Sequence, residues 1–174
     1  MSPPGPSAEA RMGRGMIWLA ALGALAALTV FFGMFEPGPT GGMRSGVDAS
    51  GRAQVVLEQG RGGHYVAEGR INGQSVAFLV DTGATDVAVS EREARRLGLD
   101  FGPRVTVMTA AGPAPAWVTR LDAVEIGGLR AENVRASITP GLGDQALLGM
   151  SFLKQFSLSQ EGGTLVIATP GSGT

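Results

Sequence analysis

Asp81, Thr82 and Gly83 follow directly on the uncharged run Val76-Ala77-Phe78-Leu79-Val80. Asp, Thr and Gly are ordinary turn residues, so the triplet alone reads equally well as a loop. Its context sharpens the reading, because an apolar strand here delivers a carboxylate at its end where a solvated loop tip is the bland expectation. An ionised carboxylate beside an apolar core needs hydrogen bonds or a charged partner. Gly83 leaves room for another backbone or a substrate to come close, and Thr82 supplies a hydroxyl able to brace a neighbouring loop.

Other chemistries are poorly provided for. The sequence has no Cys, which removes a thiol nucleophile, a disulfide framework and thiolate metal ligands together. His64 is the only His, so a Ser-His-Asp triad would have to use it and a multi-His metal site would need other chains. At the start of a candidate strand it reads as structural or solvated. Neither a metal nor a cofactor is expected. The 14 Lys+Arg nearly cancel the 15 Asp+Glu, and apart from Arg95-Arg96 the basic residues are scattered singly, so nothing points to a nucleic-acid partner. A chain of 174 residues has room for one modest domain and excludes a two-lobed enzyme.

The elements that must position Asp81 read mainly as strands. Candidates are 55–59, 64–71 and 75–80, with Asn72-Gly73 suited to a type I′ turn between the last two. The run 76–80 lacks alternation, as in a strand buried on both faces. After Asp86 come a short strand, 87–89, and a marked helix: Ser90 can cap it, Glu93 sits at the capping-box position, and Gly98 closes it. Arg92, Arg95 and Arg96 read as that helix's solvated face. Further strands are expected at 105–109, 117–126, 134–138 and 164–168, with a second helix at 150–155. Val134, Ala136 and Ile138 alternate with Arg135 and Ser137, the pattern of one wet face.

Residues 16–35 contain no charge and in a helix would span roughly 30 Å, about one hydrocarbon core. A cleaved signal peptide is the rival reading; the length of the run and the lack of an Ala-x-Ala site favour an uncleaved anchor. Arg11 and Arg14 precede it and Glu36 follows, so the expected division is a cytoplasmic 1–15, a bilayer-spanning 16–35 and the remainder outside the cytoplasm. Residues 36–54, rich in Pro, Gly and Ser, read as a flexible linker, 55–169 as the folded domain and 170–174 as a tail.

Six segments, in this order and spacing, resemble the retropepsin-like aspartic peptidases, and closely the bacterial branch that carries an N-terminal transmembrane helix. They are Gly63-His-Tyr65, Ile71-Asn-Gly73, Phe78-Leu-Val-Asp-Thr-Gly-Ala-Thr85, Ala94-Arg-Arg-Leu-Gly98, Thr109-Ala-Ala-Gly112 and Leu147-Leu-Gly-Met-Ser-Phe-Leu153. The resemblance implies a mainly β fold, a small closed acid-protease barrel with one or two short helices. It implies that Asp81 is catalytic, that Thr82, Gly83 and Ala84 complete the active-site loop, and that Leu147, Leu148 and Gly149 support it from below. Thr109, Ala110, Ala111 and Gly112 would form part of a flap over a protein or peptide substrate.

With one Asp-Thr-Gly per chain, the two-carboxylate mechanism of such enzymes implies a homodimer, and the bacterial branch implies the inner membrane with the peptidase domain in the periplasm. The alternative is a non-catalytic dimerisation or peptide-binding module of an envelope assembly. Two departures stand out. The retroviral relatives pair an Arg after the hydrophobic-hydrophobic-Gly motif with an Asp four residues beyond the catalytic one; these positions here are Met150 and Thr85. Ala111 stands where the bacterial branch often carries Asn. Asp86 reads as either a subsite or a turn residue, and Trp117 as either flap support and packing or a substrate platform.

Overall fold

The computed structural model describes residues 41–60, 62–109, 112–143 and 145–171. The expected anchor at 16–35, and Ala110 and Ala111, lie outside them; among the described residues no helix is long and apolar enough to cross a membrane.

The strands in chain order are β1 (Met43–Val47), β2 (Ala53–Glu58), β3 (Tyr65–Ile71), β4 (Gln74–Val80), β5 (Val87–Val89), β6 (Arg104–Thr109), β7 (Gly112–Ile126), β8 (Leu129–Ile138), β9 (Ala146–Leu148), β10 (Ser157–Glu161) and β11 (Thr164–Ala168). Helix α1 (Glu91–Leu97) follows β5, and helix α2 (Met150–Leu153) follows β9.

A sheet in the order β3-β4-β9-β5-β8-β7 closes on itself where β7 pairs back to β3, making a six-stranded barrel from whose β7 edge β6 extends. Closure requires Gly69, which faces Ile126 across the seam: a Cβ there would collide with the Glu125 carbonyl and with the Ile126 and Phe78 side chains. The β3–β4 hairpin turns on Asn72 and Gly73, at φ 50° and 80°, the left-handed pair that a type I′ turn demands. Asn72 is also tied across to β7, its amide donating to the Ala123 carbonyl and its side-chain oxygen accepting from the Ala123 amide. Phe78, Ile71, Leu121, Ile126, Ile138, Leu148, Phe152 and Leu153 are fully buried and form the heart of the core.

A second, four-stranded sheet runs β1-β2-β11-β10. Its inner strands bury Val55, Leu57, Leu165 and Ile167 in the common core, while every residue of β10 is exposed.

Several expectations need correction. Residues 36–54 are not all linker: β1 and the start of β2 lie within them, so the folded unit begins by Met43. The cause is Asp48, whose carboxylate accepts from the Ser50 amide and hydroxyl and from the Arg52 amide and guanidinium, folding the polar segment into a hairpin. An edge strand exposed at four of five positions leaves no hydrophobic periodicity to read.

Strand β7 begins at Gly112, five residues before Trp117, and runs through Pro113 and Pro115. There β7 pairs with β6 alone, and prolines two apart present one edge, so both missing amides can face away from β6. Strand β8 begins at Leu129 because Gly127-Gly128 makes a tight hairpin with β7. Strands β9 and β10 were not expected as strands, and α2 ends at Leu153. Strand β4 does alternate, with Val76 and Phe78 buried and Ala77 and Leu79 half-buried, and Ser137 lies buried rather than on a wet face.

Candidate active site

Strand β4 lies between β3 and β9, antiparallel to the first and parallel to the second, and ends on Asp81. The Asp81 amide donates to the Leu148 carbonyl at 3.2 Å, so the last bond of the β4–β9 ladder sets the Asp81 backbone. Its half-buried carboxylate accepts from the Gly83 amide at 2.9 Å, and its carbonyl accepts from the Ala84 amide at 3.2 Å. These two bonds curl the chain into a turn that leaves Thr82 and Gly83 exposed. One carboxylate oxygen is thereby oriented by the chain's own backbone.

Below the turn lies Gly149. A Cβ there would strike the carbonyls of Asp86 and Ala84, so no other residue lets the loop lie this close to the end of β9. The contact is then secured by backbone bonds: the Met150 amide donates to Ala84 at 2.8 Å and the Ser151 amide to Thr85 at 2.9 Å. Leu148 is fully buried and Leu147 half-buried, and these contacts set Leu148 and Gly149 against the turn that carries Asp81 and Ala84.

The next residues carry features the sequence did not announce. Ser151 Oγ accepts from the Val87 amide at 2.9 Å and donates to the Arg135 carbonyl at 2.7 Å. The Arg135 Nε donates to both oxygens of Asp86, at 2.9 and 3.0 Å, and this pairing, the hydrogen bond first, raises the guanidinium's pKa above its ordinary value. Asp86 was read as a subsite or turn residue and Arg135 as a wet-face residue; their ion pair spans 49 positions of sequence, beyond any local pattern.

Helix α1 starts where expected. Ser90 Oγ accepts from the Glu93 amide at 3.2 Å, and Gly98 at φ 69° ends the helix. Arg96 bonds Glu93, lowering that carboxyl's pKa, and reaches the Ser75 carbonyl at 2.8 Å, tying the helix to the β3–β4 hairpin.

The β6–β7 hairpin carries Thr109 and Gly112, the two described residues of the expected flap. Thr109 Oγ1 donates to the Gly112 carbonyl at 2.8 Å across the tip, Gly112 sits at φ 108°, and Met108 is 80% exposed. At its base, the Phe101 and Trp117 rings meet edge to face at 5.4 Å, with Arg95 over Phe101 at 5.0 Å and Arg104 over Trp117 at 5.6 Å. Trp117 thus packs at the base of the β6–β7 hairpin. His64 is exposed, with its carbonyl accepting from the Gly60 amide.

Residues 67–155 match the family model described as "gag-polyprotein putative aspartyl protease". A Sinorhizobium protein encoded in the 5′ region of cobV is 38% identical over 117 residues, covering 65% of this chain and 50% of that protein. A Rickettsia prowazekii (strain Madrid E) protein is 32% identical over 106 residues, covering 59% of this chain and 46% of that one. The chain spans about half the length of both relatives. The crystal structure of a retropepsin-like aspartic protease from Rickettsia conorii is similar with a TM-score of 0.58 and 27% identity, over 74% of this chain and 95% of that one.

Proposed function

We propose, from the premise that this chain belongs to the retropepsin-like aspartic protease family, that it is a membrane-anchored endopeptidase whose active site forms between the Asp81 residues of two copies. The observation that carries the reading is the delivery of Asp81 by β4: a half-buried carboxylate, one oxygen held by the Gly83 amide, on a loop fixed from below by Gly149.

One carboxylate cannot run this chemistry. Two brought within hydrogen-bonding distance cannot both ionise cheaply, so the pair shares one proton. The protonated member hydrogen-bonds the scissile carbonyl oxygen, while the ionised member takes a proton from water as its oxygen attacks the carbonyl carbon. Collapse of the tetrahedral intermediate expels the amine, which receives a proton from the pair. No acyl-enzyme forms, in keeping with a chain that has no Cys. The exposed Thr82 and Gly83 would face the same turn of the partner, and the β6–β7 hairpin would cover the substrate, a peptide of a membrane or envelope protein.

The anchor is residues 16–35, with the peptidase domain in the periplasm of a bacterium. The reading rests on the uncharged run and on Arg11 and Arg14 preceding it. A reporter that works only outside the cytoplasm, fused after Thr174, is expected to give signal, and the full-length chain to stay with membranes; signal from a cytoplasm-only reporter overturns this part.

The chemistry is tested by incubating the purified chain with a denatured protein beside Asp81→Asn, which deletes the ionisable group at nearly constant shape. Cleavage is expected from the wild type alone, with both unfolding at the same temperature. Equal cleavage by the mutant refutes the mechanism; peptide binding without cleavage by either establishes a non-catalytic module instead.

A further inference from the structure

The loop that carries Asp81 leaves β4 and must enter β5 by Val87. Its first half is held by Asp81 itself, through the Leu148 carbonyl and the Gly83 amide. Its second half is held by a closed circuit of bonds to two other elements. The Ser151 amide donates to Thr85; Ser151 Oγ accepts from Val87 and donates to the carbonyl of Arg135 on β8; and the Arg135 guanidinium returns to the carboxylate of Asp86, between Thr85 and Val87. Every link joins residues far apart in sequence, so none is satisfied by local chain geometry.

We propose that Asp86, Arg135 and Ser151 are positioning residues that fix the Asp81 loop from within one chain, an inference that rests on the peptidase reading for its catalytic meaning but not for the existence of the clamp. Thr85 and Met150 stand where the retroviral relatives carry their Asp and Arg, and the ion pair here lies one residue further along, reaching β8 instead of the helix after the hydrophobic-hydrophobic-Gly motif. The Asp86 side chain is 21% exposed and Arg135 57%, so the carboxylate is the more enclosed partner, and the pair acts through its two-bond geometry and its place in the circuit more than through its charge. A misplacement of the neighbouring loop by about 1 Å is enough to cost about 100-fold in rate when two carboxylates must meet. Since Arg135 touches no reacting atom, its loss should appear in kcat with little change in KM.

The test uses the full chain with four changes: Arg135→Gln, Asp86→Asn, Ser151→Ala, and the exchanged pair Asp86→Arg with Arg135→Asp. Amide hydrogen exchange reads the clamp without activity. In Arg135→Gln and Asp86→Asn, the amides of Val87, Met150 and Ser151 should exchange at least about tenfold faster, while those of Phe78 and Leu148 in the barrel keep wild-type protection. In the peptide assay both variants should lose about tenfold in kcat at near-constant KM, and the exchanged pair should recover a substantial part of it. Should Arg135→Gln fail to fold, Ser151→Ala deletes the two links made by the Ser151 hydroxyl and is read the same way. Wild-type exchange at Val87 and Ser151 in every variant overturns the clamp, and accelerated exchange with unchanged kcat overturns its role in positioning Asp81. If the wild type shows no cleavage that depends on Asp81, the peptidase reading fails, and the exchange rates alone decide whether the clamp exists.

Discussion

The Asp81 amide donates to the Leu148 carbonyl at 3.2 Å, and the residue after Leu148 is Gly149, over which the carbonyls of Ala84 and Asp86 pass. Strand β9 thus sets the height of the loop at both ends, by a hydrogen bond on one side and a missing side chain on the other. Gly149→Ala should therefore displace the loop and destabilise the domain by about 1–3 kcal/mol, as overpacking of a filled site does. Gly143→Ala is the control, since a Cβ there meets nothing within 4 Å. Thermal unfolding and cleavage rate should both fall for the first variant and neither for the second; equal behaviour would show that the loop does not rest on Gly149.

Helix α1 offers a separable effect. Ser90→Ala removes the acceptor for the Glu93 amide and should cost about 1 kcal/mol. For a domain of this size that lowers the melting temperature by about 3–5 °C. Because α1 follows β5 on the side away from Asp81 in sequence, activity at temperatures well below melting should hold. A loss of activity without a change in melting would tie this cap to the site.

Acid should act on the β1–β2 hairpin through Asp48. Its pKa lies well below the usual carboxylate range, first because of the Ser50 hydroxyl and then because of bonds from the Arg52 amide and side chain. A lowered folded pKa makes the unfolded state bind protons more readily. The stabilisation is therefore complete above the unfolded value of roughly 4 and is lost as pH falls through the folded one. The Asp48 carboxyl resonance should titrate below those of unpaired aspartates, and Asp48→Asn should abolish that acid dependence of the β1–β2 amide shifts. A resonance titrating near 4 would show that the hairpin does not use the charge.

These tests fall where reading the sequence succeeded and failed for physical reasons. Asn72-Gly73, Ser90 and Gly98 were legible because each solves a local backbone problem with a residue type that signals it. Phe78 to Gly83 was legible because an apolar strand ending on a carboxylate is costly unless partnered. Strands β1 and β10 were not, because both are exposed edges without periodic burial. Strand β9 was not legible as a strand either, since three residues carry no period. The Asp86–Arg135 pair and the bonds of Ser151 were invisible because they depend on the barrel bringing β5, β8 and α2 together.

Activity should depend on a second copy of the chain. Each chain supplies one Asp81, and the proton-sharing mechanism needs two carboxylates in reach of each other, so a monomer should be inert. The Arg–Asp pair of the retroviral relatives is replaced at both positions, and the Asp86–Arg135 pair lies within one chain, so neither adds a bond between copies. A fragment starting at Gly41 should therefore lose activity per chain on dilution. The full-length protein in a bilayer should lose it less steeply, because confinement raises the effective concentration of partners. Mixing gives the sharper test. If copies exchange freely, equal amounts of wild type and Asp81→Asn leave about one quarter of the dimers with two Asp81 carboxylates, and activity per wild-type chain falls to about one half. Further excess of the mutant should suppress it further. Activity per chain that stays constant down to a demonstrated monomer, with no suppression by Asp81→Asn, would show that a single Asp81 suffices and that the mechanism proposed for this site is wrong.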